Sequence, residues 1–163
     1  MKPALKSRLV TAIACLSIGG LAVGATAAIA AGPMSPAAAI AARQAGFKAQ
    51  GAAFKVILDQ TRSPTPDIAA IRTAANTLNN NAGQIGSWFP AGSGPEAGVP
   101  TRARAEIWTN PTGFATALIN FRAAAPQLKA AADSGDVARI QAQFRATGAT
   151  CGGCHTGFRA EQH

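Results

Sequence analysis

Cys151, Cys154 and His155 stand together in the stretch TCGGCH at 150–155, near the end of a 163-residue chain. Two cysteines three apart with a histidine directly behind them can do three kinds of chemistry. They can clamp a zinc ion, cycle as a redox dithiol, or hold a haem. A structural zinc site needs four ligands, commonly from two such pairs. This triple supplies three, and the only other histidine, His163, is terminal. A redox dithiol places its first cysteine at a helix N-terminus after a strand, where the dipole lowers the thiol pKa. Here the pair falls in the last turns of a predicted helix, where the partial charge is negative and a thiolate is disfavoured. C-x-x-C-H is also the attachment signal of a c-type haem. Residues three apart on a helix share a face, so two sulfurs can add to two vinyl groups along one macrocycle edge. His155, four after Cys151, then aims its imidazole at the iron from the same side. Of the three readings, haem fits best.

The opening residues agree with it. Lys2, Lys6 and Arg8 form a basic region, Leu9 to Val23 is apolar and uncharged, and Ala28-Ile29-Ala30 offers a small-residue cleavage site, with Ala25-Thr26-Ala27 a near equal. We read 1–30 as a secretory signal peptide and 31–163 as one domain. A spanning helix needs about 20 apolar residues, and the second half of this run is dominated by small alanines and glycines. Cys15 lacks the leucine and the long apolar lead of a lipoprotein site. Removing 1–30 leaves twelve Lys/Arg against seven Asp/Glu, a net +5, and only Cys151 and Cys154 as cysteines. The basic residues are scattered and the aromatics few, which gives nucleic-acid binding little support. A moderately basic surface favours encounter with acidic partners. After cleavage nothing ties the domain to a membrane.

The elements that must position the triple are helical. Ser35 and Pro36 read as N-cap and first residue of a helix over 35–59, with a stripe of Ile40, Phe47, Gly51, Phe54 and Leu58 interrupted by Gln44. After a turn cluster at 61–66, Thr65 reads as the cap of a second helix carrying Ile68, Ile71, Ala75 and Leu78. Residues 86–104 read as a long loop packed by Trp88 and Phe89. Asn110-Pro111 opens a third helix to about Asp133, striped by Phe114, Leu118, Phe121, Ala125 and Leu128, with a kink expected at Pro126. Ser134-Gly135-Asp136 reverses the chain into a fourth helix bearing Val137, Ile140, Phe144, Cys151, His155 and Phe158. The pattern predicts an all-α, antiparallel four-helix bundle. Its alanine-rich seams bury little apolar area, and a haem between the helices would supply what the core lacks.

With C-x-x-C-H placed at the end of a fourth helix, the chain resembles the cytochrome c′ group of class II c-type cytochromes. The markers are Cys151, Cys154, His155, Phe158 and Arg159 in C-G-G-C-H-T-G-F-R, then Glu106-Ile107-Trp108, the reversal at 131–136, and Arg43 in the first helix. The resemblance implies one covalent haem c, thioether-linked at Cys151 and Cys154, with His155 as axial ligand. It implies that Arg43 binds a haem propionate and that Arg159 lies in the proximal pocket. It places Phe47, four after Arg43, in the distal pocket facing the iron. Low-spin relatives carry a methionine there; phenylalanine cannot coordinate, and Met34 lies nine residues before Arg43, outside the first helix. The iron should then be five-coordinate with an apolar distal site.

The function expected from this resemblance is that of a periplasmic monohaem cytochrome that transfers electrons to or from an unidentified redox partner and binds NO and CO. A homodimer is a further implication of the family. Two other readings stay open: a plain electron carrier with low-spin haem, and a dithiol oxidoreductase without haem. The chain is not expected to be an enzyme, since a haem peroxidase needs a distal acid–base group and neither His155 nor His163 is free to serve.

Overall fold

The computed structural model describes residues 34–161. The expected signal peptide, Cys15 and His163 lie outside them. Helix α1 spans Pro36–Arg62, α2 Ile68–Gln84, α3 Glu106–Thr109, α4 Pro111–Ser134 and α5 Val137–Phe158. The four long helices form the bundle: α1 packs on α2, α2 on α4, and α4 on α5, which returns to α1.

Helix starts follow cap chemistry. The side chains of Ser35 and Asn110 accept hydrogen bonds from Ala38 N and Gly113 N, each followed by a proline at the first helical position, as expected. The second helix starts later than its sequence suggests. Asp67, not Thr65, is the cap; its Oδ1 accepts from Ala70 N at 2.9 Å. An Asp is the stronger cap, and Thr65 is instead drawn into the turn, its N–H donating to Ser63 Oγ at 3.1 Å. Gly135, at φ +73°, closes α4 in the left-handed region, and Asp136 at once caps α5. Arg72 of α2 donates to the last carbonyls of α4, Ala132 O at 3.2 Å and Asp133 O at 2.9 Å. Pro126 sits within α4 without ending it.

The core divides along the bundle. At one end Ile57, Ile71, Leu78, Leu128 and Ile140 are almost wholly buried among alanines 53, 74, 75, 131 and 132. Small alanines let these helices approach closely, so a few aliphatics fill the space. The buried face of α1 is centred on Ala39, Ile40, Arg43, Ala53, Ile57 and Thr61. Leu58 and Gly51, expected on the seam, sit at its margin, half-buried and exposed. The α4 stripe is buried as expected. At the other end Phe114, Leu118 and Phe121 pack with Ile85 and Ile107, and the aromatics around them leave a cavity. Phe54 and Phe144, stacked at 4.1 Å, mark the boundary between the two halves.

The segment read as one long loop is more ordered than its glycines and prolines suggest. It contains 3-10 turns at Ile85–Trp88 and Pro95–Ala97 and leads into the short α3. Cap strength gives a direct check. Asp67→Ala should lower the stability of the holoprotein by about 1 kcal/mol, and Thr65→Ala by less than about 0.5 kcal/mol. Denaturant unfolding followed by circular dichroism reads both.

Candidate haem-binding site

The cavity lies between α1 and α5, with α4 and the segment 85–107 closing its sides; its volume is about 640 Å³. That is within the roughly 300–1,000 Å³ typical of cofactor pockets. From α5 it is lined by Gly148, Thr150, Cys151, Cys154, His155, Phe158 and Arg159, and from α1 by Arg43, Gln44, Phe47, Gln50, Gly51 and Phe54. All six residues singled out from the sequence therefore meet around one space.

The α5 wall follows from helical spacing, which brings Cys151, Cys154 and His155 to one side of the helix's last turns. The two cysteines are half-buried and not joined in a disulfide. Burial pushes the Cys151 thiol up, against a smaller pull down from its hydrogen bond with Thr150. Burial, and then Cys151 itself, push the Cys154 thiol up, while Arg159 pulls it down. Neither is a ready thiolate, which weakens the dithiol reading. Among the described residues no three His, Cys, Asp or Glu side chains converge closely enough to hold a metal ion. For His155, burial first, then the charges of Arg159 and Arg102, lower its pKa and favour the neutral imidazole, the form that can ligate iron. The end of α5 is tied down by backbone bonds: Arg104 N donates to Phe158 O at 3.1 Å and Ala160 N to Arg102 O at 2.9 Å. Arg159, exposed at the helix end, is held there by its N–H to His155 O.

The α1 wall is where the structure adds most. Arg43 is 3% exposed. Its Nη1 donates to Ser93 Oγ at 3.1 Å and Trp88 O at 3.4 Å, and its Nη2 to Ser93 O at 3.0 Å and Thr101 Oγ1 at 2.9 Å. Its guanidinium lies 4.7 Å from the centre of the Phe89 ring. The sequence suggested an arginine kept for a ligand; the structure has it already clamping the 88–101 segment. Yet none of the ion pairs among the described residues involves it. A buried cation without a counter-charge is costly, and burial lowers its pKa accordingly. A propionate at this cavity would supply the missing anion.

Phe47 is half-buried and lines the cavity, in edge-to-face contact with Trp88 at 5.1 Å. The lining is mostly apolar but not wholly so: Gln50, one turn further along α1, has a buried Oε1 with no hydrogen-bond partner. Gln50, Ser93 and Thr101 were not singled out from the sequence, since nothing local marks a polar residue that a distant arginine or a cavity will use. Arg43→Lys should show the clamp's worth. A lysine cannot reproduce its four-way geometry, and the loss should be about 1.5–3 kcal/mol in unfolding of the holoprotein. Gln44→Ala, which loses one exposed bond to Pro100 O, should cost less than about 0.5 kcal/mol.

An apolar slab of space, a thiol pair beside one imidazole, and a buried cation lacking an anion together fit a haem. The family model for cytochrome c′ matches residues 38–159. The chain is 30% identical over 126 residues to the cytochrome c′ of Pararhodospirillum photometricum, covering 77% of this chain and 98% of that protein. A local match, 40% identical over 68 residues, reaches the cytochrome c′ of Rubrivivax gelatinosus and covers 42% of this chain but only 53% of that protein. Among solved structures, a cytochrome c′ with ligand-controlled dimer dissociation superposes with a TM-score of 0.74 at 27% identity, covering 79% of this chain and 99% of that one. A ferrous cytochrome c′ variant of Alcaligenes xylosoxidans with bound NO gives 0.70 at 26%, covering 78% and 98%. Proteins of this kind bind one covalent haem c. With the match running from the first helix through the C-x-x-C-H turn, the chain belongs to the cytochrome c′ family.

Proposed function

We propose that this protein is a periplasmic monohaem cytochrome with five-coordinate iron that exchanges electrons and binds NO or CO on the face opposite His155. One observation carries the reading. Of the described residues lining the cavity, His155 is the only histidine, no methionine or lysine joins it, and the facing helix offers Phe47. A phenyl ring has no lone pair to give a metal. Met34 is 61% exposed, ahead of α1 and away from the cavity.

The residues divide the work. Cys151 and Cys154 would hold the haem through thioethers, and His155, as neutral imidazole, would ligate its iron. Arg43 would give a propionate its counter-charge, and Arg159 would close the proximal side. When bound, the haem supplies an iron that changes oxidation state and takes a diatomic gas. Phe47, with Phe54 and Phe121, keeps the space opposite His155 small and largely apolar, which suits NO and CO because neither needs a hydrogen-bond donor. The NO-bound relative supports the gas-binding half of this reading.

Among the described residues lining the cavity there is no Asp or Glu; we read the protein as a carrier and gas binder, because acid–base turnover at haem needs a positioned distal proton donor. The relative with a dissociating dimer supports a homodimer here. Export rests on the signal read in residues 1–30; among the described residues no helix is long and apolar enough to cross a membrane. The net charge of +5 left after cleavage supports encounter with an acidic redox partner.

Replacing the distal ring tests the coordination directly. Phe47→Met should convert the ferric haem to six-coordinate low spin and weaken CO binding to the ferrous form about tenfold or more, since each tenfold is 1.4 kcal/mol. A variant that keeps the parent spectrum and CO affinity would show that position 47 does not face the iron.

A further inference from the structure

Phe47 is held from behind by a residue outside the cavity. Trp88 ends the 3-10 turn Ile85–Trp88 and is not among the described lining residues, yet its ring meets Phe47 edge to face, centroids 5.1 Å apart and planes at 86°. Two features hold Trp88 in that place. A Cβ built on Gly46, the residue before Phe47, would fall 2.7 Å from Trp88 Cη2 and 3.0 Å from both Cζ2 and Cζ3. The six-membered ring therefore rests directly on the α1 backbone, an approach that only glycine permits. The main chain of Trp88 is held as well, Arg43 Nη1 donating to its backbone carbonyl at 3.4 Å. Phe89, 6.1 Å from the Phe47 ring, flanks it as well and lies under the Arg43 guanidinium.

A ring on a helix surface gives way to an incoming ligand by swinging about χ1 and χ2, and it can do so only into free space. Trp88, which does not line the cavity, occupies space beside the Phe47 ring. We infer that Trp88, seated on Gly46, is a positioning residue that pins Phe47 over the distal space and thereby slows entry of a diatomic gas. This inference rests on the distal role proposed for Phe47.

The test is CO association with the ferrous holoprotein after flash photolysis, in a double-mutant cycle. Phe47→Ala should accelerate association, and Trp88→Ala should accelerate it about tenfold, within the range that contacting residues show when coupled. In the F47A background, adding Trp88→Ala should change nothing further, because the ring it restrains is gone. Trp88→Phe should fall between the parent and Trp88→Ala. Should Trp88→Ala prove unstable, Gly46→Ala displaces the indole without removing it and should accelerate association in the parent but not in the F47A background.

The outcomes separate two failures. If Phe47→Ala leaves the rate unchanged, the distal reading of Phe47 is wrong and the role of Trp88 falls with it. If Phe47→Ala accelerates association but the Trp88 and Gly46 variants do not, or their effects add to it in full, the distal reading stands and the pinning role is overturned. A Trp88 variant that lowers the unfolding midpoint but leaves CO association untouched would also overturn it, as that is what a purely structural residue would do.

Discussion

Arg43 carries a full positive charge at 3% exposure, with four hydrogen bonds to neutral oxygens and no carboxylate among its partners. Neutral acceptors replace lost water but leave the charge uncompensated. A haem propionate arriving from the cavity side, as proposed above, would supply the missing counter-charge. The same guanidinium fixes the 88–101 segment, which forms one side of the cavity and brings Trp88 and Phe89 against Phe47. Electrostatics at the rim and packing over the distal face thus depend on one side chain.

The rest of the bundle is divided to suit this. In the closed half, alanines let four helices meet with few large side chains between them. In the open half, Phe47, Phe89, Phe114 and Phe158 touch in turn from α1 to α5, and the cavity they border has a volume of about 640 Å³. Gly148, whose added Cβ would come 3.1 Å from Phe54 Cζ, lets the boundary ring lie close against α5. A chain folding without haem would have to bridge this space or fill it with water. Neither is favourable, so cofactor attachment and stability should be linked.

Much of this was legible in the sequence, for identifiable reasons. C-x-x-C-H is local, and a helix turns its spacing into a geometry with no help from tertiary structure. The caps at Ser35 and Asn110 are local too, as is the reversal at Ser134-Gly135-Asp136, although the cap role of Asp136 emerged only in the structure. The cap at Asp67 was misplaced to Thr65 because two adequate residues compete two positions apart, and the nearby turn decides between them. What could not be read was long-range. Arg43 reaches Ser93 and Thr101 across more than 45 residues, and Gly46 shows its purpose only once the Trp88 ring is seen resting on it. Gln50 looked like an ordinary helix residue, yet it places an amide in a pocket expected to be apolar.

On the function proposed above, iron is held by one protein side chain, His155, and left open opposite it. Resonance Raman spectroscopy of the mature wild-type holoprotein, ferric and ferrous, reads the coordination number and spin state from the porphyrin marker bands. High-spin, five-coordinate bands are expected in the ferrous state, and no protein sixth ligand in the ferric state. Low-spin, six-coordinate bands in both oxidation states would show a second protein ligand and contradict that function.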